Sequence, residues 1–221
     1  GTLQVASSGA LGSSAAMLLD GGTLRLSVTT SDESSDFQIG ADGGAISVDS
    51  GQSVTVGGVI SGSGVFTKEG SGTLELSGKN THIGATEVNA GTLLVSGSLS
   101  DTTAVSVESG ASYELGSDDT VGSLSGAGSV SLSSYQLEAG GDNTSTTFSG
   151  VISGDGGLTK EGSGTLELSG ENSYSGSTSV KGGTLQVASS GALGSSAAML
   201  LDGGTLRLSV TTSDESSDFQ I

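Results

Sequence analysis

Two 38-residue stretches, Gly58–Val95 and Gly150–Val187, align with each other without a gap. Each holds two smaller look-alikes. GTLEL at Gly72 is followed by GTLLV at Gly91, and GTLEL at Gly164 by GTLQV at Gly183, at the same spacing. GTLQV at Gly1 is followed by GTLRL at Gly22, and Leu93/Val95 is echoed by Tyr113/Leu115, at nearly that spacing again. A chain that repeats at two length scales is built by stacking one unit, and here the unit is about 20 residues long.

Within the unit the apolar residues alternate. Leu166 and Leu168 fall on one side, Thr165, Glu167 and Ser169 on the other. A period of two is a strand signal. The same alternation runs through Ile46/Val48, Val54/Val56, Val105/Val107 and Val130/Leu132, with Gly-Ser, Asp-Gly and Gly-Gly turn chemistry between. Ala10–Leu19 comes nearest to a helical pattern, and Gly12 and its serines weaken it. A unit of this size cannot bury its own apolar face, so each strand must pair in parallel with its counterpart one coil away. The expected fold is all-β: a right-handed parallel β-helix of about eleven coils, a rod roughly 50 Å long. A β-sandwich or antiparallel barrel would not place similar residues at constant spacing. The stacking sets a map. Leu166, Leu185 and Leu206 form one inward column, and Leu168, Val187 and Leu208 the next. Glu167, Gln186 and Arg207 form an outward column without a like-charge clash.

Gly1–Ile39 recurs letter for letter as Gly183–Ile221, so the large unit is the 182-residue interval from Gly1 to Gly183. Residues 1–221 read as one continuous β-helix segment holding one 182-residue period and the start of the next, with half-repeats at 58–95 and 150–187. There is no starting Met, signal peptide or long apolar run, which is expected of a window on a longer protein. Near-perfect repetition suits a protein whose useful property is length.

The composition agrees. There are 40 Gly and no Pro, Cys or Trp, and aromatic residues make up 3%. Large rings are too few for an ordinary compact core but suit many thin layers. Absent Pro suits a backbone in which almost every N–H is paired. The net charge is −18 with six basic residues, which argues against nucleic acid and anionic membrane surfaces as partners.

No catalytic, cofactor-binding or metal-ligating set emerges, so the chain is not expected to be an enzyme or to need a cofactor. His82 is the only His, and nothing in THIGATE positions it for a triad; it reads as a turn or surface residue. Neither G-x-S-x-G nor H-E-x-x-H occurs. Polysaccharide-cleaving β-helices need basic and acidic groups clustered in a groove, and six scattered cations do not supply them. Asp32-Glu33, Asp118-Asp119 and Asp155 lack calcium-loop spacing and read as solvated acidic turns. Asn143-Thr144-Ser145 fits a glycosylation sequon that carries little weight. Lys68-Glu69 and Lys160-Glu161 recur in both copies and read as a structural corner, such as a local ion pair. Thr73/Thr92 and Thr165/Thr184/Thr205 read as outward Thr columns.

GGLTKEGSGTLELSGENSYSGSTSVKGGTLQV closely resembles the passenger-associated strand repeat of bacterial autotransporters. Its motif joins Lys-x-Gly-x-Gly-Thr-Leu, an Asn-x-Tyr-x-Gly turn and a closing Gly-Thr-Leu. Leu115–Leu132 resembles the segment that lies between such repeats. The first copy departs at the turn, with His82 and Ile83 where the second has Tyr174 and Ser175. The resemblance implies a secreted passenger of a Gram-negative surface protein, a β-helix exported through an outer-membrane barrel. It implies adhesion, self-aggregation or biofilm formation, with host-cell or bacterial surface components, or a second rod, as partner. No membrane insertion of this segment is implied, and absent Cys fits export as an extended chain. X-ray fibre diffraction from aligned rods is expected to give a reflection at roughly 4.7–4.9 Å along the rod axis, from strands perpendicular to it.

Overall fold

The computed structural model describes residues 1–7 and 16–210, with the backbone alone at 30–33. The described elements are strands and no helices, and they pair in parallel. Alternating Val, Leu and Ile with Thr and Ser favours strands, and Gly at the corners ends them. Each coil crosses three faces in turn. The first face is an eleven-stranded sheet running from Thr2–Val5 to Thr205–Leu208. The second is a seven-stranded sheet from Thr30–Glu33 to Val151–Ser153. The third holds three strands from Met17–Leu19 to Ile60–Gly62 and five from Asp119–Val121 to Met199–Leu201. Residues 79–83 and 98–100 bridge those two groups. Thr81 N donates to Ile60 O at 2.8 Å, and Asn80 N to Ser98 O at 2.9 Å.

The expected columns are present. Leu166 pairs with Leu185 and Leu185 with Leu206; Leu168, Val187 and Leu208 follow in the same register. Glu167, Gln186 and Arg207 are aligned outside, as are Thr165, Thr184 and Thr205. Thr73 lies beside Thr92, and Leu93/Val95 beside Tyr113/Leu115. Of the stretch Ala10–Leu19, residues 10–15 lie outside the described residues and Met17–Leu19 is a strand.

The core is one thin column of side chains. Inward positions from Phe66 to Val88 follow a strict period of two through both corners: Phe66, Lys68, Gly70, Gly72, Leu74, Leu76, Gly78, Asn80, His82, Gly84, Thr86 and Val88. The second copy repeats this from Leu158 to Val180. Long side chains fill the flat faces and glycine takes the corners, because there the next coil leaves no room. A Cβ on Gly170 would stand 1.8 Å from Gly150 O, and one on Gly150 would stand 1.8 Å from Gly128 O. Backbone stacks directly on backbone at this edge.

The two copies of the 38-residue unit do not share a face. Thr73–Leu76 and Thr92–Val95 lie on the second face, whereas Thr165–Leu168 and Thr184–Val187 lie on the first. Phe66–Glu69 and Thr86–Val88 lie on the first face, Leu158–Lys160 and Thr178–Val180 on the third. The 92-residue offset from Gly58 to Gly150 is thus four and two-thirds turns, and the unit is rotated by a third of a turn. The 182-residue offset returns GTLQV to the first face after nine whole turns. Every face asks the same thing of its strand, namely two inward side chains, mostly apolar, around one outward side chain, mostly polar.

Gly170→Ala is expected to destabilise the rod by about 2 kcal/mol or more, because the obstacle is backbone that cannot change rotamer. Ser169→Ala, one residue away and partly exposed, is expected to stay within about 0.5 kcal/mol. Urea denaturation of both variants checks this.

Candidate functional site

The chemistry of this chain divides into polar groups sealed inside the coil and polar ladders outside it. The inner set comes first, because the alternation carries it inward. Lys68 lies two residues after Phe66, on the inward parity, and is fully buried. Its ammonium donates to the carbonyls of Glu69 at 2.9 Å, Gly70 at 2.8 Å and Ala90 at 2.9 Å. Lys160 repeats the arrangement with Glu161 O, Gly162 O at 3.1 Å and Gly182 O at 3.4 Å. The recurring Lys-Glu pair is therefore no local ion pair. The lysine ties a corner to the next coil through backbone carbonyls, and Glu161 pairs instead with Lys181 at 2.9 Å. Burial lowers the Lys68 pKa to about 8, against a smaller opposing pull from Glu69. Lys160 is also lowered by burial, with Asp142 and Glu161 opposing.

Asn80 and Asn172 act as side-chain rungs. Asn80 Oδ1 accepts from Ile60 N at 3.0 Å, and its Nδ2 donates to Gly78 O at 3.1 Å and Ser98 O at 3.0 Å. Asn172 accepts from Ile152 N at 2.7 Å and donates to Ala192 O at 2.5 Å. One amide thus serves the coil below and the coil above, where a bend has broken the ladder and left backbone groups to satisfy.

Two residues further on, the copies carry the same relay on different heads. Tyr174 OH meets Thr178 Oγ1 at 2.8 Å, Thr178 meets Ser196 Oγ at 3.0 Å, and Ser196 donates to Gly176 O at 3.0 Å. His82 Nε2 meets Thr86 Oγ1 at 2.7 Å, Thr86 meets Thr103 Oγ1 at 3.2 Å, and Thr103 donates to Gly84 O at 2.6 Å. His82 is fully buried, edge-on to Phe66 with ring centroids 5.7 Å apart. The reading of His82 as a turn or surface residue is corrected: parity places it inside, where its copy has Tyr174.

Asp118-Asp119 also divides. Asp118 is exposed and accepts from Gln136 N at 2.9 Å. Asp119 is buried and accepts from Tyr113 OH at 2.6 Å and Leu99 N at 3.1 Å. Its bond to Leu99 N reaches back one coil, as those of Asn80 and Asn172 do to Ile60 and Ile152. Burial raises the Asp119 pKa, with the Tyr113 and backbone hydrogen bonds opposing. Asp155 stays exposed and accepts from Ser175 at 2.9 Å. The side chains of Asp32 and Glu33 lie outside the described set.

Outside, carboxylates and hydroxyls bridge coils. Glu75 accepts from Thr55 at 3.0 Å below and Ser96 at 2.5 Å above. Glu167 accepts from Gln186 at 2.5 Å. Arg25 grips Asp49 with two bonds of 2.8 and 3.0 Å, which raise its own pKa and lower that of Asp49. Lys181 spans Glu138 and Glu161, and both bonds raise its pKa. Of the six cations, two are therefore buried and two are held in ion pairs, which leaves a strongly anionic exterior. An open cleft of about 330 Å³ at the corner of the third and first faces is lined by glycines, Thr23, Asp42, Thr67 and Glu87, with no basic group. Among the described residues no group of three or more His, Cys, Asp or Glu could hold a metal ion.

Sequence reasoning missed the buried roles of Lys68, Asn80, His82 and Asp119. The available signal was the period of two, followed through the glycine corners rather than stopped at them.

Two outcomes test the interior. Lys68→Met, which keeps the stem and removes the donors, is expected to cost about 2–3 kcal/mol in urea denaturation, and Lys160→Met a similar amount, nearly additively. Asp119 is a carboxyl group with a raised pKa. Its share of stability is present below its unfolded pKa and lost as pH rises through the folded one. Asp119→Asn is expected to abolish that loss, measured as the difference between denaturation midpoints at pH 4 and pH 7.

The family model for the passenger-associated-transport-repeat matches residues 66–95 and 158–187. No curated protein and no solved structure matches the chain. The two matched segments are the ones that carry the buried lysine, the asparagine rung and the first two groups of the relay. Two segments of the β-solenoid therefore match the passenger-associated-transport-repeat, which is consistent with an autotransporter passenger repeat region.

Proposed function

We propose that this segment is part of the stiff rod of a secreted bacterial surface adhesin, taking part in adhesion, self-aggregation or biofilm formation. The repeat family implies secretion across the outer membrane to the cell surface. The observation that carries the reading is the whole-number phase of the large repeat. The 182-residue period makes nine whole turns, so tandem copies stack in line and present the same outward columns in straight rows. Weak contacts along such rows multiply by avidity. The partners are host-cell or bacterial surface components, or a second rod, and no chemical turnover is involved.

A purely structural stalk carrying a distant binding domain is the second reading. It is favoured by the outer carboxylates, several of which, such as Glu75 and Glu167, are already engaged by neighbouring coils.

Deleting one 182-residue period from the parent protein on cells separates the two. Under the adhesin reading, clumping and attachment fall with each period removed, while reach shortens by roughly 43 Å per nine coils. Unchanged clumping with shortened reach would establish the stalk.

A further inference from the structure

The repeated relay carries one difference with a chemical consequence. In the second copy its head is the Tyr174 hydroxyl: Ser196 spends its only proton on a carbonyl, so Thr178 donates to Ser196 and Tyr174 to Thr178. In the first copy the head is an imidazole, which has two nitrogens. Thr103 spends its only proton on Gly84 O, so Thr86 donates to Thr103, and His82 Nε2 carries the hydrogen that Thr86 accepts. This fixes the neutral tautomer and leaves Nδ1 as a bare acceptor. Nδ1 is buried and has no hydrogen-bond partner. Protonation would put a charge and a new N–H there, beside a carbonyl that is already used. Ile60 O accepts from Thr81 N at 2.8 Å and from His82 N at 3.1 Å.

We propose that the coil carrying His82 is an acid-sensitive joint in the rod, where proton uptake by one buried imidazole loosens the stack while the matching Tyr174 coil holds. Among the described residues no carboxylate faces the ring. On the strand Ile60–Gly62 below there is no titratable group. On Phe66–Glu69 the inward charge is Lys68, whose ammonium is bound to carbonyls at the far corner, and Glu69 is on the outward parity. On Thr86–Val88 the acid is Glu87, outward between two buried neighbours. In the coil above, Asp101 is exposed, as is Lys79 in the same coil. Burial lowers the His82 pKa to about 4, against a smaller opposing pull from the Ile60 backbone. A histidine lowered in this way loses stability as pH falls from its ordinary value near 6.5 toward the folded value. In a tandem array the joint recurs once every nine coils.

The test is amide hydrogen exchange of the intact chain at pH 7 and pH 4.5, corrected for the intrinsic rate, with NMR titration of the single imidazole. The opening equilibrium at Asn80–Ile83 is expected to rise about fiftyfold relative to that at Asn172–Ser175. His82→Tyr, which installs the residue that the second copy already tolerates, is expected to abolish the difference. Tyr174→His is expected to move it to the second coil. An imidazole midpoint near 6.5, equal pH responses of the two coils, or an undiminished response in the His82→Tyr variant each overturns the proposal. If Tyr does not pack at position 82, Phe there serves as the second variant with the same reading.

Discussion

The structure depends on parallel backbone pairing between a strand and its counterpart one coil away. Each coil alone has too little apolar surface to stay folded, and its inward Leu and Val are sealed only by the coils on either side. Leu3 and Leu185 are the same residue of the repeat. Leu185, between the strands that carry Leu166 and Leu206, is fully buried, whereas Leu3, in the first described strand of its sheet, is 56% exposed. The identity of a residue thus matters less than what is stacked against it. The glycine corners follow from the same constraint, since coils in backbone contact leave no space for a Cβ.

Corners are where the ladder weakens, and the buried polar groups are concentrated there. Lys68 and Lys160 supply donors to carbonyls of two coils, and Asn80 and Asn172 supply both a donor and an acceptor. These side chains replace the backbone partners that a bend removes. They also account for the Lys and Asn that stand among glycines in both copies of the repeat. The cost of burying them is offset by satisfying groups that would otherwise be stranded in a dry interior. The relay positions show how much variation this allows: His, Tyr and hydroxyl partners exchange as long as a chain of hydrogen bonds ends on a carbonyl. The Tyr113–Asp119 pair is a third solution, in which a carboxylate takes the amide's place.

A coil with three equivalent faces has a further property. One 38-residue unit can be displaced by a third of a turn and still satisfy every inward position. The half-repeats use this freedom, and the full period does not. Nine whole turns keep the exterior in line from one period to the next.

The sequence by itself determined the strands, their parallel stacking one coil apart, the inward Leu and Val columns and the outward Glu167–Gln186–Arg207 column. Each of these rests on short-range alternation and constant spacing, and both are written in the order of residues. The tertiary structure alone decided which face each strand occupies, because strands for all three faces obey the same pattern and the corners set the phase. It also decided what the buried polar groups do. Alternation could place Lys68, Asn80 and His82 inside, but the carbonyls of Ala90 and Ser98 that bind Lys68 and Asn80, and the Thr103 hydroxyl that continues the His82–Thr86 relay, come from the next coil. Only stacking brings them within bonding distance.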